Sequence, residues 1–546
     1  MIVARRTALG ATLAGILLAA AVPCGQASAG FFDRVLGKST YQTFKGKFID
    51  TNFVHEASAT ATGSAATKAI GGEGHFVGSA TWDGIPSPEL QAYGEKILNR
   101  LLAGWGGEHP RMRLWITADP GLEAESNSAG DLFLARGWFD NVESEDEIAA
   151  VLAHEVSHVL LGHFGRDDEH ERNRMAVVGA AGAAATAFTL ASVRPEGSGM
   201  ATTLAIGNQA KVNHQIRDAA MIKFAIDEVS NVALNAPWAR EQEDQADLLG
   251  IDLLYRAKYN VLAMRDVLQR LADYEKAADK QTDLLSGDYK DSLSQSLVQG
   301  DTTSLTDTLK DAVWSAAGKV NDSLARSHPD TKARLDDIAK YIGREYEDDA
   351  GPQPNAAAFK SFKAGKKVAE ALSDHTEAAK ASAMLDKNDH AKRASLAARA
   401  ARQGASNAPF PLRVMAQTLT ENGNAAKALV LYRRAADSPE ASFATVTMLA
   451  GAYVNAGNFA KADSTLTDAV KKFGSAEAVY PMRITIDLKR GDQQGADATF
   501  KQCLGVKNEG LTQECKSAHG DSCSSLECRF SNGSKDVKET APGIAR

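Results

Sequence analysis

His154, Glu155 and His158 lie close together in one apolar stretch, Ala149-Ala150-Val151-Leu152-Ala153-His154-Glu155-Val156-Ser157-His158-Val159-Leu160-Leu161-Gly162-His163. Positions i and i+4 of an α-helix share a face, so the two imidazoles can offer nitrogens to a single metal ion. Glu155, beside the first histidine, is placed to take the proton of a water activated by that ion. The spacing predicts a zinc-dependent hydrolytic centre with Glu155 as the catalytic base. A plain core helix is the weaker reading, because two histidines and a glutamate buried without a metal leave costly unpaired polar groups.

A catalytic zinc takes three protein ligands and keeps an open position for water. Gly three residues and His six residues after the second histidine would supply one known solution, but Leu161 and Phe164 stand there, and Gly162 and His163 miss the spacing. His163 is therefore a neighbour of the site and not a ligand. The better candidate lies in Arg240-Glu241-Gln242-Glu243-Asp244-Gln245-Ala246-Asp247-Leu248-Leu249-Gly250. Glu243 and Asp247 share a helix face. Glu243 can be the third ligand, and Asp247 can accept a hydrogen bond from a liganding imidazole and fix its tautomer.

With both segments in view, the chain resembles the zinc metallopeptidase family that includes the CAAX prenyl proteases and their soluble bacterial relatives. The resemblance rests on His154 to His158, on Glu-x-x-Ala-Asp at Glu243 to Asp247, and on Ser327-His328-Pro329-Asp330-Thr331-Lys332-Ala333-Arg334-Leu335, which looks like the family's His-Pro segment. It covers about residues 88–340 and implies a gluzincin-type domain with one Zn2+ per chain and polypeptide substrates. Either His328 or Arg334 would stabilise the oxyanion, or His328 would occupy the open metal position in a resting state. The resemblance also implies that Asn127 and the strand-like segment 131–136 lie at the cleft edge and hold substrate backbone.

The elements that must position these residues are partly legible. Ser144 and Glu147 form a capping box that starts the histidine helix. Residues 88–98 have helical periodicity, and 112–117 reads as a strand before Asp119-Pro120 turns the chain. A strand pair followed by the histidine helix makes the fold α+β, mostly α, with the metallopeptidase domain at 87–345. Between the two metal segments, 175–193 is uncharged and rich in Ala and Gly. That weak hydrophobicity suits a buried hairpin or a peripheral membrane contact better than a span. Residues 278–322 read as a polar helical insertion without chemistry.

Arg5-Arg6, an apolar run from Ala8 to Val22, and Ala27-Ser28-Ala29 make residues 1–29 a signal peptide. The chain has 61 Lys+Arg and 69 Asp+Glu, and cleavage removes two arginines, leaving 59 against 69 and a net charge of −10. That balance argues against a nucleic-acid partner, and the signal peptide sends the chain across the inner membrane, to a periplasmic and membrane-associated location. Residues 30–86 read as an N-terminal tether, with 56–74 rich in Ala, Thr, Ser and Gly. The Pro- and Gly-containing run at 347–354 opens a linker at 346–374.

From 375 to 508 a period of 34 residues is visible in Gly423-Asn424, Gly457-Asn458 and Gly491-Asp492, each followed by Ala428, Ala462 or Ala496, with Asp389 and Ala394 as a degenerate first copy. This is the period of tetratricopeptide repeats, which stack into an α-solenoid with a concave groove. Such repeats contact mainly their neighbours, so the peptidase and the repeats should be separable. Cys503, Cys515, Cys523 and Cys528 in and before the 509–546 tail suggest two disulfides. Two functions follow. One is a periplasmic zinc endopeptidase whose repeats bind protein partners. The other is a chaperone or assembly scaffold for outer-membrane proteins with a gated or slow zinc site. Relatives of this architecture imply the outer-membrane barrel-assembly machinery as the partner of the groove.

Overall fold

A computed structural model of the chain describes residues 44–63, 82–127, 129–163, 240–274, 331–384, 390–473, 476–506 and 509–520. The 1–29 leader, the 175–193 stretch, the 278–322 insertion, His328, Cys523 and Cys528 lie outside these described residues. Among the described residues no helix is long and apolar enough to cross a membrane.

The first described segment differs from the expected tether. A 3-10 turn at Phe48–Asp50 and helix α1 (Asn52–Gly63) lie against the domain, and Phe48, Ile49 and Val54 are buried in its core. The Ile49 amide donates to Asp252 Oδ2 at 2.8 Å, and the Phe48 amide donates to the Tyr341 hydroxyl at 2.7 Å. The Ala/Thr/Ser-rich composition that follows hides these few apolar anchors.

Ser87 caps α2 (Pro88–Trp105), its hydroxyl accepting from the Leu90 amide ahead of a proline that suits the first helical position. Three strands follow: β1 (Arg113–Thr117), β2 (Ala124–Ser126) and β3 (Asp131–Ala135). They form one sheet in the order β1-β3-β2, with β1 parallel and β2 antiparallel to β3. The segment expected at the cleft edge is thus the middle strand, and both its backbone edges are consumed by neighbours. Asn127 serves the turn that aligns it: its Oδ1 accepts from the amides of Ala129 at 3.0 Å and Asp131 at 2.9 Å.

After α3 (Arg136–Asn141) comes α4 (Glu145–Leu160), buried over nearly its whole length. Ser144 Oγ accepts from the Glu147 amide at 3.3 Å, while Glu147 Oε1 reaches back to the Glu143 amide at 2.9 Å, one residue before the cap. Helix α5 (Arg240–Arg256) packs on α4, and Gly250 sets how near it comes. A Cβ there would stand 2.7 Å from Met264 Cε and 3.3 Å from the His154 amide nitrogen. An added side chain there would displace the end of Met264 and press tightly on the α4 backbone at the histidine itself. Helix α6 (Thr331–Glu345) closes the domain against α5.

The expected linker at 346–374 is not a linker. It carries α7 (Ala356–Ala364) and the start of α8 (Lys366–Ala383). Phe362 stacks on Tyr93 with centroids 3.6 Å apart, Lys363 Nζ donates to the Phe139 carbonyl at 2.8 Å, and Arg136 Nη1 donates to Thr376 Oγ1 at 2.7 Å. Helices α9 (His390–Ala400) and α10 (Pro409–Glu421) carry this core onward, since Leu396, Phe410 and Val414 are continuous with it.

Beyond lie α11 (Ala425–Ala436), α12 (Phe443–Asn455), α13 (Phe459–Phe473), α14 (Tyr480–Lys489), α15 (Gln493–Leu504) and α16 (Glu509–His519). Helices α10 and α11, α12 and α13, and α14 and α15 pair as hairpins. Each turn has glycine in the left-handed region, with φ of 75° at Gly423, 68° at Gly457 and 81° at Gly491. In each, the next amide returns to a carbonyl of the first helix at 2.8 Å: Asn424 to Leu419, Asn458 to Tyr453 and Asp492 to Asp487. This is the Schellman closure that glycine permits. The 34-residue period is therefore a repeated helix end. Helix α16 packs on α14 and α15, and Cys503 is disulfide-bonded to Cys515.

Candidate metal centre

Helices α4 and α5 bring His154, His158 and Glu243 to one point, their ligand atoms all within 4.8 Å of one another, and all three side chains are buried. The Nε2 atoms of His154 and His158 are 3.1 Å apart. Glu243 Oε1 lies 3.4 Å from His158 Nε2, and Oε2 lies 3.6 Å from His154 Nε2. The i, i+4 register of the histidines thus does what its spacing predicts, and the glutamate approaches from the crossing helix.

Behind His154 stands Asp247, its Oδ1 2.9 Å from Nδ1. Burial would raise the Asp247 carboxyl, but the Arg334 guanidinium and the hydrogen bond from His154 hold it down at about 2. For His154, burial works toward the neutral form, but hydrogen bonds to Asp247 and Glu243 push it up to about 10. Burial lowers His158 and lowers His163 further.

Arg334 is placed otherwise than its expected oxyanion role requires. Fully buried on α6, it sends Nε and Nη2 to the two oxygens of Asp247, each at 2.8 Å, and Nη1 lies 2.7 Å from Glu243 Oε2. A guanidinium committed on its fork to two carboxylates at the back of the centre holds them in place, and a substrate oxygen would have to displace one of them. His328, its expected alternative, lies outside the described residues.

The residues fit a divalent cation. The buried carboxyls of Glu243 and Asp247 share the Arg334 guanidinium, and Glu155, buried within the field of His158, adds a third acidic group, so a cation among the imidazole nitrogens is favoured electrostatically. Two imidazole nitrogens with a carboxylate oxygen are also a donor set that zinc accepts. Cys503 and Cys515 lie apart from this centre, in the small core under α14 to α16.

Two contributors escaped the sequence. Ser126, at the end of edge strand β2, donates its hydroxyl to Glu155 Oε2 at 2.8 Å. His163 places Nδ1 at 2.9 Å from His158 Nδ1 and Nε2 at 3.0 Å from Gln245 Oε1. A lone serine in a short strand carries no signal, whereas His163 was visible as a neighbour but without its partner.

A buried His-His-Glu set on crossing helices, with a second glutamate beside it, defines a metallopeptidase. Residues 89–342, which carry every residue of this centre, match Peptidase family M48. Among curated proteins the chain is similar to the beta-barrel assembly-enhancing protease of Yersinia pestis, 25% identical over 201 residues, 37% of this chain and 36% of that one. The putative beta-barrel assembly-enhancing protease of Vibrio cholerae is 26% identical over 201 residues, 37% of each chain. The Escherichia coli K12 protein named beta-barrel assembly-enhancing protease is 25% identical over 206 residues, 37% of this chain and 36% of its own. The matched region thus spans little more than a third of the length of each relative.

Proposed function

We propose that this chain is a periplasmic zinc endopeptidase that cleaves misfolded or unassembled envelope proteins, held by Nε2 of His154, Nε2 of His158 and the Glu243 carboxylate to one zinc ion. The convergence of those donors from two helices, backed by Asp247 and Arg334, carries the proposal. Zinc there would supply a Lewis acid for the scissile carbonyl and a water acidified to a pKa of about 7. Glu155 takes the proton from the attacking water and delivers it to the leaving amine nitrogen. Ser126 keeps the Glu155 carboxylate turned to one orientation through Oε2.

The helical hairpins supply the partner surface. Their common period and common turn geometry support a tetratricopeptide stack, whose groove would hold a protein partner. The relatives' names place them in β-barrel assembly, which supports outer-membrane proteins as substrates and the barrel-assembly machinery as that partner. The Cys503–Cys515 disulfide and the leader-like 1–29 support export to an oxidising compartment. Metal analysis of the purified mature chain coupled to casein digestion tests the reading. One zinc per chain and metal-dependent cleavage are expected, both lost in His158→Ala. A metal-free chain that digests casein, or a zinc content unchanged in His158→Ala, would refute it.

A further inference from the structure

Each histidine of the metal centre uses Nε2 toward Glu243, which leaves its Nδ1 to be fixed from behind. His154 Nδ1 has the Asp247 carboxylate. His158 Nδ1 has another imidazole, that of His163, whose sequence spacing does not make it a ligand.

The hydrogen-bond directions close on a single pattern. An imidazole that gives the Nε2 lone pair to a metal carries its proton on Nδ1. His158 Nδ1–H must then donate to His163 Nδ1, 2.9 Å away, which requires His163 to be protonated on Nε2. That nitrogen lies 3.0 Å from Gln245 Oε1, an acceptor. The Gln245 amide is oriented by its other end, Nε2 donating to Glu241 Oε1 at 3.2 Å. The turn that holds His163 is pinned to the same helix, since Gln242 Nε2 donates to the His163 carbonyl at 3.0 Å. His158, His163 and Gln245 are all buried, so water does not supply an alternative partner cheaply.

We infer that His163 and Gln245 are positioning residues of the metal centre: a directed chain from His158 Nδ1–H through the His163 ring and the Gln245 amide to the Glu241 carboxylate holds His158 in the tautomer that presents Nε2. The two ligand histidines are thereby held differently, His154 by an anion whose charge Arg334 offsets, and His158 by neutral groups that end on a carboxylate nearer the surface. The inference rests on the zinc reading above, and outer partners of this kind change metal affinity by roughly 10- to 100-fold.

The test measures zinc affinity of the full mature chain by chelator competition in His163→Leu, His163→Asn, Gln245→Leu and the His163→Leu/Gln245→Leu double variant, with unfolding of each metal-free protein followed by circular dichroism. His163→Leu should weaken zinc binding about 10- to 100-fold. His163→Asn keeps an acceptor near the Nδ1 position and should restore most of it. Gln245→Leu should weaken binding less than His163→Leu, and adding it to His163→Leu should cost nothing more, because the chain is already cut. Additive losses, or a His163→Leu affinity equal to wild type, would overturn the inference. Should His163→Leu not fold, Gln245→Leu decides alone, with unchanged affinity counting against the chain. Absence of zinc binding in the wild type would instead sink the zinc reading, and the two failures are thereby told apart.

Discussion

Ser126 Oγ donates to Glu155 Oε2 across 2.8 Å, joining the end of strand β2 to helix α4 beside His154 although the two residues are 29 apart in sequence. The carboxylate proposed as the base is therefore braced by the strand that forms the sheet edge beside it. Glu155→Gln should retain zinc and lose about 10²- to 10⁴-fold in kcat, the usual worth of a general base. Ser126→Ala should lower kcat by about tenfold, the equivalent of one hydrogen bond to a charged group, with KM and zinc content unchanged. Zinc lost from Glu155→Gln would place that glutamate among the ligands instead.

Arg334 bears on stability more than on chemistry. Removing it leaves Asp247 and Glu243 buried with their shared cation gone, and breaking such a pair costs roughly 3–5 kcal/mol. Arg334→Ala should show that loss in denaturant unfolding of the metal-free chain, together with weaker zinc binding. Full stability and full zinc content, with only kcat reduced, would return Arg334 to the oxyanion role that the sequence suggested.

What the sequence disclosed follows from the range of the interactions. The histidine pair, the Ser144 cap and the glycine turns are set by residues three to five apart, and the structure shows them. Glu243 was legible because the histidine pair calls for a third ligand and Glu243 shares a helix face with Asp247 four residues on. Missed were the pairings between distant segments: Ser126 with Glu155, His163 with Gln245, and Phe48 and Ile49 seated on Tyr341 and Asp252. None of these leaves a periodic trace. The resemblance implied a cleft-edge strand at 131–136, whereas β3 lies between β1 and β2, a pairing set by segments distant in sequence.

Asp252 gives the N-terminal segment a pH dependence. Burial pushes its carboxyl up to about 6, against hydrogen bonds from Tyr346, the Ile49 amide and Tyr341 that favour the charged form. An unfolded aspartate titrates near 3.9. The folded state therefore binds the proton more tightly, and this contribution to stability is complete below about pH 4 and lost as pH rises through about 6. Two units correspond to about 3 kcal/mol at most. Comparing unfolding of wild type and Asp252→Asn at pH 4 and pH 7 should show the wild type losing ground to the variant on going up. A constant difference between the two proteins would leave Asp252 without this role.

Asp83 decides whether the two halves of the molecule can be parted. It is fully buried, with Oδ1 accepting from the Ser442 amide at 2.7 Å and from Thr445 Oγ1 at 2.6 Å, while Arg413 Nε lies 3.2 Å from Oδ2. Its own carbonyl accepts from the Ala118 amide at 2.7 Å, and the next amide, Gly84, donates to the Glu440 carbonyl at 2.8 Å. One short segment is thus hydrogen-bonded to the peptidase sheet on one side and to the start of α12 on the other. Phe362 on Tyr93 and Phe410 against Trp82 add apolar contact across the same boundary. Ending the chain after Glu345 should therefore expose these aromatic faces and give an unstable or insoluble peptidase fragment, contrary to the separability that a repeat period suggests. Asp83→Ala should strand Arg413 in a buried site at a cost of roughly 3–5 kcal/mol and split the thermal transition of the full chain in two. A soluble fragment ending at Glu345 that keeps zinc and full peptidase activity would show that the boundary is only a contact.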